Sequence, residues 1–493
     1  MIDYFLLIFT GNNCTAMFRN ILISVVLSIA FYTGRAQTTF PLRISKDKRY
    51  LVDQQNKPFP ILGRTAWFVI SQPEKAYQQF IENTLSLGYN AIEFAVITHW
   101  PTGNHAPFNG EGEMPFLKRL NGSDWDGKLV YSSLSTDAPD FTTPNEKYWQ
   151  FVDKFLAYCE SKGVLVFMFP AYVGYDGEDQ GWMKELVANG KEKSFAYGAW
   201  VANRYKNQKN IVWMLLGDMG KFNTEQLVAE QALIDGLKSV KDQQSKQYTA
   251  ESHSGENAAD NPYFGDEMTL NGVYTWELKV PVPYLSRNAY AHNPTMPAFL
   301  LEEPYDEEGP DGNNYNPNAT QPVRRFQWWG WLSTIGGYIS GNGYVWPFID
   351  PVWQQHLHTE GALDMMRLNK FIKSLEWWKL VPSGLNGMKD VIIDPLNIDT
   401  TASYVSAAAA RDGSLLVAYI PPAHDGGVTV NLTVLKKAAF AYWFDPTDGS
   451  FLPVGESRVT NKGNRTFVPP GKNHQGQTDW VLIFATEKIA EGQ

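Results

Sequence analysis

Two short apolar runs each end in a carboxylate: Ile211-Val-Trp-Met-Leu-Leu-Gly-Asp218 and Pro297-Ala-Phe-Leu-Leu-Glu302-Glu303-Pro-Tyr305. Four to six apolar residues without alternation, bounded by Gly or Pro, describe a strand buried on both faces, as in parallel sheets. Two acids delivered where such strands stop are the minimum equipment for cleaving a glycosidic bond. One protonates the leaving oxygen, and the other attacks the anomeric carbon or activates a water. Asp218 lies too far from the helical pattern near Thr224 to be its N-cap, which removes the commonest structural job for an Asp there. In the second run Glu302 and Glu303 compete, because successive strand side chains point to opposite faces. Asp306, Glu307 and Glu308 read as loop-surface charges. Glu93 and Glu251, set in apolar runs, read as structural or supporting acids.

Other chemistries find no support. Histidines 99, 105 and 253 are not in HExxH or HxH spacing, so no metal centre is indicated. No dinucleotide or phosphate loop occurs, a G-x-S-x-G elbow is absent, and no cofactor is called for. A net charge of −10 argues against nucleic acid or an anionic membrane surface as partner. The 17 Trp and 24 Tyr are consistent with a cleft that stacks sugar rings, since these side chains suit sites packed on one edge and wet on the other.

The elements that must position the acids follow a repeating grammar of strand, loop, amphipathic helix and next strand. Strands are predicted at Phe59–Leu62, Ala91–Val96, Val164–Phe169, Ile211–Leu216, Tyr248–Ser252, Gly272–Tyr274, Ala298–Leu301 and Gly337–Ser340. Helices are predicted at Glu74–Leu87, Glu146–Lys162, Lys193–Tyr205, Thr224–Lys238 and Val323–Thr334. Eight such units imply a (β/α)8 TIM barrel, with catalytic groups at the C-terminal ends of the strands. The long segments Thr98–Pro144 and Ala171–Glu192 would build the cleft. Beyond Trp378 the pattern becomes short strands with hairpin signals at Asp412-Gly and Asp448-Gly, implying a small C-terminal β-sandwich that braces the barrel. Arg19, the apolar run Ile21–Tyr32 and Gly34-Arg-Ala36 read as a cleavable signal peptide, with Met17 the better start. The expected organisation is a signal peptide over 1–37, a barrel over 38–385 and a sandwich over 386–493. Export to the periplasm or medium follows, without a membrane anchor and without disulfides, as Cys14 leaves with the signal and Cys159 reads as a buried thiol.

Gly63-Arg-Thr-Ala-Trp67, Gly88-Tyr-Asn90, Val212–Asp218, Glu303-Pro-Tyr305 and Gly336–Tyr344 together resemble the apiosidase-like glycoside hydrolases, family 140. The tail, with Ala441–Gly449 and Asp479–Leu482, resembles the collagen-binding-type domain that often ends such proteins. The resemblance implies retaining chemistry, with Asp218 as acid/base and Glu303 as nucleophile. It implies a plant cell-wall substrate, a β-linked apiose in the rhamnogalacturonan II of pectin. One departure stands out: Arg64 replaces the usual Asp of the first-strand motif, which bears on the sugar if Arg64 lines the cleft. With Arg64, the residues Trp67, His99, Trp100, His253, Tyr274, Trp276 and Trp346 at or past strand ends are the candidate sugar contacts. The alternatives are an endo-β-glycanase of the family 5 kind, which would show Asn-Glu where this chain has Gly217-Asp218, and a non-catalytic carbohydrate- or collagen-binding protein on a degenerate barrel.

Overall fold

A computed structural model describes residues 38–489 other than 100–106, 130–135, 178–179, 276–280, 308–320, 395–396 and 456. The expected signal segment, Trp100 and Trp276 lie outside the described residues. Eight parallel strands form the catalytic body: β1 (Ile61–Thr65), β2 (Ala91–Ala95), β3 (Leu165–Phe169), β4 (Ile211–Leu216), β5 (Tyr248–Glu251), β6 (Asn271–Tyr274), β7 (Ala298–Glu302) and β8 (Ile335–Ser340). They hydrogen-bond in the order β5-β4-β3-β2-β1-β8-β7-β6. The ring nearly closes between β5 and β6, where the Thr269 and Leu270 N–H groups donate to the Tyr248 carbonyl at 2.9 and 3.0 Å. Every residue of these strands is buried, as their unbroken apolar runs require of a sheet covered on both faces. Phe167 and Phe299 meet across the interior, ring centroids 5.4 Å apart.

The helices are α1 (Glu74–Ser86), α2 (Glu146–Ser161), α3 (Met183–Arg204), α4 (Thr224–Ser239), α5 (Val282–Ala291), α6 (Gln321–Thr334) and α7 (Glu360–Ser374). Three differences from the sequence-based expectation have local causes. Strand β1 is Ile61–Thr65, not Phe59–Leu62, because Pro58–Phe59 belongs to a small separate sheet with Arg43–Ile44 and Leu51–Val52. Helix α3 starts ten residues earlier than Lys193 and bends at Gly190, whose φ of 68° is a left-handed break. Helices α5 and α7 are not among the expected helices. A proline in the first turn favours α5, and the Thr359 side chain caps α7 by accepting from the Ala362 N–H at 3.1 Å. Cys159 is buried in α2, as expected.

The C-terminal β-sandwich pairs a six-stranded antiparallel sheet with a three-stranded one. Its strands are β9 (Leu380–Pro382), β10 (Ile392–Asp394), β11 (Ser406–Ala410), β12 (Leu415–Ile420), β13 (Val428–Asn431), β14 (Phe440–Phe444), β15 (Phe451–Pro453), β16 (Asn464–Phe467) and β17 (Trp480–Ala485). The larger sheet runs β9-β11-β12-β17-β14-β15 and the smaller β10-β13-β16. Both Asp-Gly sites close hairpins, β11–β12 and β14–β15. Alternation along the strands divides the larger sheet's two faces. Ala407, Ala409, Leu416, Ala418, Leu482 and Phe484 pack toward the smaller sheet. Ala408, Ala410, Val417, Tyr419, Val481 and Ile483 share one core with barrel helices α5, α6 and α7. Trp328 of α6 stacks on Tyr419 at 5.7 Å with a 4° interplanar angle. Fully buried Arg324 of α6 donates to both Asp479 oxygens at 2.8 and 2.9 Å and also to Asp364. The two parts therefore have a common interior.

Candidate active site

The C-terminal mouth of the barrel holds a cavity of about 430 Å³. Three carboxylic acids line it: Asp218 just past β4, Glu251 at the end of β5 and Glu302 at the end of β7. Glu93 of β2 lies beneath them, its carboxyl accepting the Thr65 hydroxyl at 2.6 Å. The walls are aromatic and apolar: Trp67, Phe68, Tyr172, Tyr175, Tyr274, Tyr305 and Trp346, with Ala95, Ile97 and His99. No Lys or Arg among the described residues lines it.

Asp218 is reached through backbone that side chains rarely adopt. Leu216, Gly217 and Asp218 have φ of 65°, 123° and 56°. Positive φ at two non-glycine residues flanking a glycine is strain of the kind that gathers at functional sites. Gly217 has a second reason to lack a side chain, since a Cβ there would meet the Tyr172 ring. That close approach lets the Tyr172 hydroxyl donate to Asp218 Oδ2 at 2.8 Å. The Tyr274 phenol faces the same carboxyl. Desolvation raises the Asp218 pKa above the ordinary carboxylate value, and the two phenols only partly offset it. An aspartic acid that keeps its proton further up the pH scale suits a general acid.

Glu302 is held in the same manner by different means. The Tyr305 hydroxyl donates to its Oε1, and Tyr305 also receives the Trp67 indole N–H at 3.2 Å. The Tyr305 ring lies where a Cβ on Gly341 would stand. Around Glu302 the other acids are pushed up. The Glu251 pKa is well above normal, first through burial and then through the Glu302 and Asp218 charges. Glu93 is raised by burial and by Glu302.

The structure corrects the phase of the second run. Glu302 lines the cavity and Glu303 does not. Glu303 is fully buried, and its Oε1 accepts the side-chain amide of Gln327 on α6, in the layer outside the barrel. The cause is a bulge. Leu300 pairs with Val273 and Glu302 with Tyr274, leaving Leu301 as an extra residue. Strict alternation from Phe299 through Leu301 would send Glu303 inward; the bulge turns Glu302 inward instead. Bulges commonly re-aim side chains beside active sites.

Arg64 is likewise misplaced by the expectation. In β1, Thr65 faces the interior, so Arg64 faces the helix layer. It is 3 % exposed, donates to Asn83 Oδ1 of α1 at 2.6 Å and lies over the Phe80 ring at 5.3 Å. Burial lowers its pKa. It is a structural cation outside the cleft, and the three-residue displacement of β1 is why the sequence suggested otherwise. Asp306 is not a surface charge either. It is 5 % exposed, accepts from Thr359 at 2.6 Å and Asn342 at 3.1 Å, and is pushed up to about 6 chiefly by desolvation.

Of the remaining candidates, Trp67, His99, Tyr274 and Trp346 line the cavity. His99 is buried, 3.0 Å from Glu185 of α3 and edge-on to Trp182. His253 stands beside the cavity, its ring 5.8 Å from that of half-exposed Tyr175 and 3.9 Å from Asp176. Sequence reasoning missed Tyr172, Tyr305 and Phe68 as site residues. The available signal was a tyrosine shortly after a strand end together with a glycine after the neighbouring strand.

Comparison with known proteins bears on this geometry. Residues 45–379 match the family model described as apiosidase-like, catalytic domain. Residues 390–485 match the model described as "Putative collagen-binding domain of a collagenase". A solved structure titled glycoside hydrolase is 19 % identical, with a TM-score of 0.72, over 92 % of this chain and all of that one. A glycoside hydrolase family 5 structure from Bacteroides vulgatus ATCC 8482 is also 19 % identical, with a TM-score of 0.71, over 92 % of this chain and 96 % of that one. At such identity these two likenesses speak to the fold alone. Comparison with curated protein sequences finds no match.

Proposed function

The chain belongs to the apiosidase-like glycoside hydrolases, and we propose that it is a retaining β-glycosidase with Asp218 as acid/base and Glu302 as nucleophile. One observation carries this reading: the carboxyls of Asp218 and Glu302, from opposed strands β4 and β7, line one cavity, each fixed by a tyrosine hydroxyl. Glu302 lends an electron pair to the anomeric carbon while Asp218 gives its proton to the departing oxygen. Asp218 then takes a proton from the incoming water, which releases Glu302. Aromatic walls at Trp67, Phe68 and Trp346 suit the apolar faces of a sugar.

The proposed substrate is a β-linked apiose of pectic rhamnogalacturonan II, taken from the family resemblance. Because Arg64 points into the helix layer, its presence gives no reason to expect a different sugar. Export through the segment 1–37 belongs to the same proposal, as does a bracing role for the sandwich. The test is digestion of pectin-derived oligosaccharides by the wild type, Glu302→Ala and Glu303→Gln, with products identified by NMR. Glu302→Ala should lose several orders of magnitude while Glu303→Gln stays within about tenfold. Azide should rescue Glu302→Ala to a glycosyl azide of inverted configuration and Asp218→Ala to one of retained configuration. The reverse pattern, or equal loss in both glutamate variants, overturns the assignment.

A further inference from the structure

A two-carboxyl mechanism leaves Glu251 unexplained. It sits at the end of β5, paired in register with Leu216 at the strained end of β4. It is 1 % exposed, lines the cavity beside Asp218 and Glu302, and shares a hydrogen bond with Glu302. Its Oε2 is buried and receives no N–H or O–H from a neighbouring donor. Two carboxyl groups share a hydrogen bond only if one of them carries a proton, because a carboxylate has none to give. The surroundings decide which one. Glu302 accepts the Tyr305 hydroxyl, a donor that favours its ionised form. No such donor reaches Glu251 among the described residues, and burial disfavours a charge there. These surroundings favour the proton on Glu251 over Glu302.

We propose that Glu251 is a positioning residue that works as a neutral acid, its carboxyl hydrogen donating to Glu302 and holding that carboxylate ionised and aimed. This rests on Glu302 being the nucleophile. Atoms balance simply. A Glu302 oxygen bonds to the anomeric carbon, the glycosidic C–O bond breaks, and the leaving oxygen takes its proton from Asp218. The Glu251 proton stays in place and steadies the carboxylate when it departs in the second half. The titratable groups facing Glu251 are Asp218 past β4, Tyr172 past β3, Glu93 on β2, Tyr274 on β6, and Glu302 with Tyr305 on and past β7. His253 follows it on its own segment. These acids do not form a cation site: no metal-holding group of His, Cys, Asp and Glu occurs among the described residues.

The test compares wild type, Glu251→Gln and Glu251→Ala. Gln keeps a hydrogen to donate and should stay within about tenfold, whereas Ala should lose about 10²–10³-fold in kcat, the scale for removing one preorganised donor. On a glycosyl fluoride, whose leaving group needs no proton, a fall of kcat/KM at high pH reports loss of the Glu251 proton. Glu251→Gln should remove that fall. The infrared band of protonated carboxylic acids at neutral pH should shrink in Glu251→Gln, a readout that needs no substrate. Gln as damaging as Ala, a high-pH fall that survives in Gln, or an unchanged infrared band each overturns the proposal. If Glu302→Ala proves active, the nucleophile assignment fails instead, and the infrared comparison still reports where the proton lies. If Ala does not fold, the Gln profile and spectrum decide.

Discussion

The ends of β4 and β7 each present a carboxyl to the cavity, yet by opposite devices. At β4 the backbone itself is bent: three successive positive φ angles carry Asp218 over the strand end. At β7 the backbone keeps extended geometry and an extra residue changes the phase. The supports converge where the backbones differ. In both, a tyrosine hydroxyl holds the acid, and the tyrosine ring lies over a glycine, Gly217 for Tyr172 and Gly341 for Tyr305. Position is set by backbone and orientation by an aromatic brace. Of the two backbone devices only the bend at β4 leaves a mark in the sequence, as Gly-Asp after an apolar run; the bulge at β7 leaves none.

The two ends also rest on different foundations. Behind Glu302, α6 contacts Glu303 through Gln327 and the sandwich through Arg324, Trp328 and Trp329, whose indole donates to the Tyr404 carbonyl at 2.9 Å. Behind Asp218, α4 packs on α3, remote from the sandwich core. Damage to the sandwich should therefore reach β7 first.

The largest effect separates the two acids by what each does. Glu302→Ala should lose several orders of magnitude on every substrate, because no covalent intermediate forms. Asp218→Ala should lose about 10²–10⁴-fold on natural glycosides and much less on a glycosyl fluoride. Steady-state kinetics on both substrate types check this; equal losses on the fluoride would mean the roles are not divided in this way.

Ending the chain at residue 385 should leave no soluble, cooperatively folded barrel. The face of α6 and α7 that meets the sandwich is apolar core, and Arg324 would be left without Asp479. Uncovering such a face favours aggregation. Arg324→Met with Asp479→Leu is the milder companion and should keep the fold. Expression and thermal unfolding provide the measurement. A stable, monodisperse barrel would make the sandwich an independent module.

Substitution of the two glycines sharpens the comparison of the braces. Gly217→Ala must adopt a φ of 123° and displace Tyr172, whereas Gly341→Ala only displaces Tyr305. We expect roughly 10²-fold or more for Gly217→Ala and about tenfold for Gly341→Ala in kcat/KM. Tyr172→Phe should additionally raise the Asp218 pKa, since it deletes a donor that now lowers it, and move the high-pH limb of the profile upward. A limb that moves down would place another group in control of it.

These particulars show what the sequence could carry. All eight barrel strands, both hairpins and Asp218 were legible, because burial on two faces leaves long apolar runs and turns leave Asp-Gly. The identity of the β7 acid was not legible, because a one-residue bulge involves no distinctive residue type. Arg64 was misplaced because a strand boundary shifted by three residues exchanges inside for outside. Glu251 read as a supporting acid, and its place beside Glu302 depends on two strands that are not neighbours in the sheet order.

The smallest expected effect concerns what lies beneath β4. Glu230 of α4 is fully buried, with the Leu216 N–H facing its carboxyl, directly under the strained turn to Asp218. Burial pushes its pKa up to about 8. The unfolded chain has an ordinary Glu value of about 4.3. Between these limits the folded state holds a proton that the unfolded state has released, so stability must fall as pH rises. The contribution is fully present below about pH 4.3, declines by roughly 1.4 kcal/mol per pH unit, and levels off above about pH 8. Other buried acids share this trend, so the informative quantity is the difference between wild type and Glu230→Gln in urea unfolding from pH 5 to 9. Gln cannot ionise; the two curves should therefore diverge as pH rises, with the variant the more stable at pH 8. Its kcat should change little, because the amide still faces the Leu216 N–H. If the difference curve is flat, Glu230 is already ionised in the folded protein, and the bent end of β4 rests on a buried charge.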